Sequence, residues 1–359
     1  MKFENRYSWS DRLLHRLAFK SSGLQVALAD IEDQLHKKRL AELTVDRPVF
    51  VTGLPRAGTT ILLNLLVETG AFASHTYRDM PFVLCPMFLQ GLTKHFQVQE
   101  GARERAHGDG LMVATDSPEA FEEMVWKHFW PSHYKNDRIE EWMSCDDAEF
   151  LAFFRKHIRK VVAVRVRPAV TSCRYVSKNN LNIARLSCLP EALTDAKFVV
   201  PFREPVQHAA SLLKQHLAFL DTHRGDAFAS DYMEGIGHYD FGVHLRPVNF
   251  NGWLDRDRRA DAVNLSFWLE YWIAAYGNIA AKIGSRVRLL SYRQLTANPR
   301  STLEWLATFL EVDDAAQLVD RGVQLRSPRE HETDTSTVDR QLLEDARGLY
   351  SQLEETSRF

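Results

Sequence analysis

The sequence predicts an α/β fold of three layers, with a central, mostly parallel sheet flanked by helices. Three stretches carry that expectation. In each, a short run rich in β-branched and aromatic residues gives way to apolar residues at helical spacing: 49–52 before 59–66, 197–203 before 205–220, and 286–292 before 302–310. A strand repeatedly followed by a helix is the pattern of a parallel sheet with helices on its faces.

Between the first strand and its helix lies Gly53-Leu54-Pro55-Arg56-Ala57-Gly58, followed by Thr59 and Thr60. Pro55 fixes φ, and the two glycines permit sharp backbone turns. Ile61, Leu62, Leu65 and Leu66 share one face of the helix, which Gly70 is placed to stop. Loop amides and the positive end of the helix converge on an anion in such a unit, which makes the fold P-loop-like. The nucleotide triphosphatase motif G-x-x-x-x-G-K-[ST] carries a lysine where Thr59 stands here, and the nearest cation is Arg56. One cation and two hydroxyls suit a smaller anionic group than a magnesium-bound triphosphate.

The remaining elements follow in order. Residues 1–45 are a helical prelude, in which Leu13, Leu14, Leu17, Ile31, Leu35, Leu40 and Leu43 fall near helical spacing. The main domain spans 46–325, with insertions near 90–170 and 221–262, and 326–359 is a polar, partly helical C-terminal segment. The loop over 72–86 contains His75, Tyr77, Arg78 and Asp79, and the glycine-rich stretch 101–110 contains His107. Ser117-Pro118-Glu119 has the composition of a helix start, with Phe121, Val125 and Phe129 inward and Glu122 and Glu123 on the surface. The aromatic stretch 126–142 fits either core or an acceptor pocket. Residues 148–168 suggest a helix running into a basic apolar segment whose place the sequence leaves open. Arg174–Lys178 is a short strand, and the strand over 197–203 closes on Arg203. Pro205 opens a helix with Val206, Ala210, Leu213, Leu217 and Leu220 on one face and Ser211 two turns in. The stretch 221–262 lacks periodicity, as a surface insertion or lid would, and its Asp255-Arg256-Asp257 is a solvated charged loop. A long aromatic helix over 264–283 precedes the last strand–helix unit, and Arg326 and Arg329 are available to close over a ligand.

Pro55-Arg56-Ala57-Gly58-Thr59-Thr60 resembles the 5′-phosphosulfate loop, P-[KR]-[SA]-G-T-[TS], of sulfotransferases that use 3′-phosphoadenosine-5′-phosphosulfate (PAPS). Its arginine is similar to that of the bacterial and Golgi-type branches. Arg203 closing a strand, with Ser211 eight residues later, resembles the family's 3′-phosphate site, and Tyr292, Leu295 and Pro299 match its Y-x-x-L-x-x-x-P segment. The resemblance runs from about residue 48 to 310. It implies that Arg56, Ala57, Gly58, Thr59, Thr60, Arg203 and Ser211 bind the cofactor, and that Arg56 and Lys178 stabilise charge on the leaving phosphate. Asp79, where those enzymes usually have Glu, would be the base on the acceptor, with His107 its rival. Asn180 stands where the cytosolic subfamily has a catalytic histidine. The product would be adenosine 3′,5′-bisphosphate, and the acceptor a hydroxyl or amine of a small molecule, glycan or lipid.

Composition bounds these readings. With 45% hydrophobic and 26% charged residues, the 359-residue chain can bury a sizeable core. A net charge of −2 gives no global basic field, so nucleic acid is not an expected partner. Cys85, Cys145, Cys173 and Cys188 lack a C-x-x-C pair and read as reduced, buried thiols of a cytosolic protein rather than a disulfide framework or zinc site. The start of the chain has no secretory apolar core, and no run approaches the ~20 apolar residues that span a bilayer. These features suggest a cytoplasmic, bacterial-style enzyme that uses no metal. Two other readings stay open: a P-loop kinase or GTPase-like protein, and a non-catalytic nucleotide-binding module. Against the first, the candidate strand ends Lys178, Arg203 and Ser291 include no acid to hold magnesium.

Overall fold

A computed structural model describes residues 8–88, 103–104, 112–113, 117–119, 121–166, 173–325 and 332–357, with only the backbone of 103–104, 112–113 and 324. Helices α1 (Trp9–Lys20), α2 (Ser22–Leu35) and α3 (Lys37–Ala41) open the chain. Strand β1 (Val49–Val51), helix α4 (Thr59–Glu68) and strand β2 (Phe72–Ala73) come next, and β3 (Arg103–Glu104) pairs antiparallel with β4 (Met112–Val113) in a separate ribbon. Then follow α5 (Glu123–Phe129), α6 (Ala148–Arg165), β5 (Arg174–Lys178), α7 (Leu189–Ala192), β6 (Lys197–Phe202), α8 (Pro205–Gly225) and α9 (Ala227–Gly235). The chain continues through α10 (Leu265–Ala280), β7 (Val287–Ser291), α11 (Tyr292–Ala297), α12 (Pro299–Leu310), α13 (Ala315–Arg321) and α14 (Arg340–Thr356).

Five strands form one sheet in the order β2-β5-β1-β6-β7, and every pairing in it is parallel. Side-chain alternation along β1 makes the three layers. Val49 and Val51 face a cluster with Leu62 and Leu66 of α4 and Leu303 and Leu306 of α12. Phe50 points the other way, stacking on Phe198 at 5.1 Å and lying 6.3 Å from Phe154 of α6. Both faces are covered, so the strands are apolar throughout, as in buried parallel sheets. Val51 stands beside Lys178 on one side and Val199 on the other, so β5 and β1 end together at one edge of the sheet and β6 runs on past them to Phe202. Ligands of open parallel sheets bind at such an edge.

The N-terminal helices are tied to the domain by charge. Lys160 of α6 is 1% exposed and holds Glu32 at 3.3 Å, Asp33 at 3.1 Å and the Ala29 carbonyl at 3.0 Å. Burial pushes the Glu32 carboxyl up to about 7, against the pull of Lys160. At the other end of the chain, α14 buries Ala346 and Leu353, and Glu354 accepts from Ser291 Oγ at 2.5 Å and pairs with Arg293 at 2.8 Å.

Several expectations change. The helix expected at Ser117 begins at Glu123. Pro118 instead bridges Thr76, and Glu119 N–H donates to the His75 carbonyl at 3.0 Å, so these residues are pinned to the loop after α4. Glu122 and Glu123 are 1% and 4% exposed rather than on the surface, because each has buried donors to satisfy. The stretch 221–262 is largely packed: Phe228, Tyr232, Tyr239, Phe241, Val248 and Phe250 are all buried. Its Asp255–Asp257 region is the charged surface expected, with Arg259 on Asp257 at 2.6 Å. Finally, Cys145 and Cys188 form a disulfide with Cα atoms 5.4 Å apart. Their 43-residue separation gave no signal, yet Trp142 N–H donates to the Ala184 carbonyl at 2.9 Å and brings the two segments side by side. That removes the argument from cysteine usage for a cytosolic location. Cys85 is a buried free thiol, and Cys173 is free and half-buried. No helix among the described residues is long and apolar enough to cross a membrane.

Candidate active site

The loop after β1 is held from both sides. Thr52 N–H donates to the Val199 carbonyl at 3.0 Å, and its hydroxyl donates to the Asn180 carbonyl at 3.2 Å. Gly53, Arg56 and Gly58 have φ of 150°, 71° and 98°. Arg56 is not glycine, so its left-handed backbone costs about 1–2 kcal/mol and is imposed by its surroundings. Such turns aim successive amides toward one point and form an anion nest at the start of α4. Gly58 caps that helix against the face of Tyr292, where a Cβ would lie 2.5 Å from the ring. Ala57 and Thr59 are buried and Thr60 is half-buried.

The strand β6 and helix α8 complete the cradle. Glu204 caps α8 by accepting from Gln207 N–H at 2.7 Å, with Pro205 in the first turn. Arg203 Nη1 donates to the Arg56 carbonyl at 3.0 Å, and Arg56 Nε donates to Ser211 Oγ at 3.3 Å. The Arg203 guanidinium also lies 5.7 Å from the Tyr292 ring centre. One turn along α8, His208 Nε2 donates to the Pro55 carbonyl at 2.7 Å, while its Nδ1 accepts from Trp272 at 3.2 Å. Burial and the neighbouring Arg203 push His208 down to about 3, which fixes this neutral tautomer as a brace behind the loop. Arg56, Arg203 and Ser211, far apart in sequence, thus meet in space.

The end of β5 supplies a second, acid-rich wall. Lys178 Nζ lies 3.7 Å from Glu119, whose other oxygen accepts from Tyr77 Oη at 2.8 Å. Asn179 donates to Glu123 at 2.8 Å. Glu123 in turn is gripped by both guanidinium nitrogens of Arg185, at 2.7 and 2.9 Å, and by the Tyr134 hydroxyl. Arg185 is fully buried between Trp126 and Trp142, 4.1 and 4.2 Å from their ring centres. Glu122 takes Tyr175 at 3.1 Å and Asn182 at 2.9 Å. This network sets the position of Lys178 and its neighbours from below. Asn180 accepts from Thr59 Oγ1 at 3.3 Å and donates to Asp240 at 3.1 Å.

Asp79 is brought near this wall but is engaged otherwise. It accepts from His75 Nδ1 at 2.8 Å, from Arg165 at 2.5 Å and from Thr76 N–H at 3.1 Å. Burial pushes its carboxyl up, but the His75 and Arg165 donors outweigh that and leave it below the usual range. A carboxylate so held is a weak proton acceptor. His107, Arg326 and Arg329 lie outside the described residues. Glu119, Glu123 and Asp240 were missed in the sequence because their partners are distant along the chain. A pointer was there in Glu122-Glu123, an acid pair inside an apolar and aromatic run, which implies buried counter-groups.

Together these features define a polyanion-binding α/β protein of the phosphate-loop type. Residues 48–246 match the model of the sulfotransferase family. The chain belongs to that family and is a transferase. No curated protein matches the sequence. Among solved structures, it is similar to the sulfotransferase STF9 from Mycobacterium avium, with 13% identity, 91% of this chain and 81% of that chain covered, and a TM-score of 0.52. It is also similar to the sulfotransferase STF1 from Mycobacterium tuberculosis H37Rv, with 14% identity, 93% and 84% coverage, and a TM-score of 0.52. At such identities the likeness is one of fold.

Proposed function

We propose that the chain transfers a sulfuryl group from PAPS to a hydroxyl or amine of an acceptor, and releases adenosine 3′,5′-bisphosphate. The observation that carries this reading is the junction of two anion sites: Arg56 of the loop bonded to Ser211, and Arg203 bonded to the Arg56 carbonyl. A single phosphate would need one such site, whereas a donor with separate 5′- and 3′-phosphates needs both. The left-handed turn at Gly58, packed against Tyr292, and the guanidinium groups of Arg56 and Arg203 fit that donor.

In this reading Thr59, Thr60 and the amides around Ala57 and Gly58 hold the 5′-phosphate, while Arg203 and Ser211 hold the 3′-phosphate. Arg56 and Lys178 stabilise the charge that grows on the departing phosphate oxygen. Such preorganised donors are the largest usual contribution to catalysis of group transfer. Asp79, through His75 and Arg165, positions the loop after α4 rather than taking a proton. The acceptor is a small molecule, glycan or lipid; with a net charge of −2, the chain offers no field for nucleic acid.

Calorimetric titration tests the donor. Adenosine 3′,5′-bisphosphate should bind without metal, and Arg203→Ala should weaken it about 10- to 150-fold, the value of charge-assisted bonds worth about 1.5–3 kcal/mol. Binding of ADP or GDP with magnesium, in preference to the bisphosphate, would instead favour a P-loop nucleotidase.

A further inference from the structure

Among the described residues, five carboxylates stand on the β5 side of the cradle, Asp79, Glu119, Glu122, Glu123 and Asp240, while Glu204 on the other side caps α8. Four of them are already committed to strong donors. Asp79 holds His75 and Arg165, and Glu119 holds Tyr77 and stands beside Lys178. Glu122 holds Tyr175 and Asn182, and Glu123 is clamped by Arg185. Asp240 differs. It accepts a hydrogen bond from a neutral amide, Asn180 Nδ2 at 3.1 Å, and His238 Nε2 stands off at 3.8 Å.

The same Asn180 accepts from the hydroxyl of Thr59, the first residue of α4, at 3.3 Å. The amide orientation is therefore set by both bonds: oxygen toward the cradle, nitrogen toward Asp240. Asn180 is itself fixed, since its carbonyl accepts from Thr52. Asp240 sits one side chain away from the phosphate loop, on the loop that follows α9, with its side chain 13% exposed.

We propose that Asp240 is the group that takes the acceptor's proton, held beside the cradle by Asn180. The inference rests on the sulfuryl-transfer reading above. As the acceptor oxygen forms its bond to sulfur, its O–H proton passes to a carboxylate oxygen of Asp240. The bond between sulfur and the 5′-phosphate oxygen breaks, and its electron pair leaves on adenosine 3′,5′-bisphosphate. The surroundings suit the task. Burial raises the Asp240 carboxyl to about 6, with the Asn180 bond and the Lys178 charge pulling it down and Glu123 pushing it up. His238 and Tyr271 are the other titratable groups that face it. A base poised near neutral pH is the efficient kind.

The test compares Asp240→Asn with wild type, Asp240→Glu and Asp79→Asn. Transfer is followed with sulfur-labelled PAPS, both to phenol, whose hydroxyl keeps its proton at neutral pH, and to water, and calorimetry with adenosine 3′,5′-bisphosphate runs alongside. Asp240→Asn should keep the bisphosphate affinity and lose about 10²–10⁴ in transfer rate, the usual contribution of general-base catalysis. The acid limb of the wild-type pH–rate profile should fall near the value of about 6 given by its surroundings and disappear in the variant. Asp240→Glu should recover part of the rate. If Asp240→Asn transfers at the wild-type rate with the same acid limb, the proposal is overturned. If Asp79→Asn alone abolishes transfer, the base lies on the other loop. Failure of wild type to bind the bisphosphate is a separate outcome: it removes the donor assignment and with it this inference.

Discussion

Gly58→Ala is the most direct challenge to the geometry of the cradle. The substitution acts in two ways. It places a side chain at a φ of 98°, and it puts a Cβ 2.5 Å from Cδ2 and 2.6 Å from Cε2 of Tyr292. The backbone term alone is about 1–2 kcal/mol. Pushing the ring aside adds about 1–3 kcal/mol, the range for overpacked sites, so the total is about 2–5 kcal/mol. Tyr292 cannot retreat cheaply, because it begins α11 and its ring lies under Arg203. The loss should therefore appear both as a lower Tm and as weaker binding of adenosine 3′,5′-bisphosphate. A double-mutant cycle separates the two terms. Tyr292→Leu relieves the steric part and leaves the backbone part, so the pair should couple by about 1 kcal/mol or more, beyond the ~0.5 kcal/mol expected of independent sites. Additive effects, or a Gly58→Ala protein as stable as wild type, would refute the claim that the ring and the left-handed turn shape the loop.

Two further expectations follow. Lys160→Met keeps the buried stem but strands the buried Glu32 without its cation, while Asp33 keeps Lys156 at 3.0 Å, at a cost of about 3–5 kcal/mol read by thermal unfolding. The deficit should depend on pH. The folded Glu32 carboxyl is raised to about 7 from an ordinary 4.5, so the native state binds more protons than the unfolded chain in that window, and stability falls as pH rises through it. The variant should accordingly be worse at about pH 8 than at about pH 5, and an unchanged deficit would contradict this account. Arg56→Ala should reduce label transfer from PAPS by about 10²–10³ with little change in Tm; near wild-type turnover would remove Arg56 from the reaction.

How much of this was legible in the sequence depends on the range of the interactions involved. The cradle was readable because its signals are local: Gly53 to Thr60 and Arg203 to Ser211 each sit within one strand–turn–helix unit. The parallel sheet was readable for the same reason, and β1, β5, β6 and β7 fall where composition put them. What failed was what depends on distant partners. Ser117-Pro118 has the chemistry of a helix cap, yet its backbone is bridged to Thr76, and the helix starts at Glu123. Glu122 and Glu123 appear as surface acids until Tyr175, Asn182 and Arg185 are brought against them. The stretch 221–262 lacks period because its short turns are held by tertiary packing, so nothing in it set Asp240 apart. Cys145 and Cys188 are joined by a contact between Trp142 and Ala184 that no spacing rule encodes.

The Arg56–Arg203 junction has a consequence for the protein before any ligand arrives. Two guanidinium groups are gathered at one spot, and the charge of Arg56 is among the causes that, after burial, lower the Arg203 value. Folding brings the two cations together at the edge of the sheet, where their mutual repulsion opposes the attraction of Tyr292 and Glu204 for Arg203. In the proposed reading, the donor's phosphates would supply the counter-charge there. Multivalent anions that fill the site should therefore raise the Tm of the whole fold.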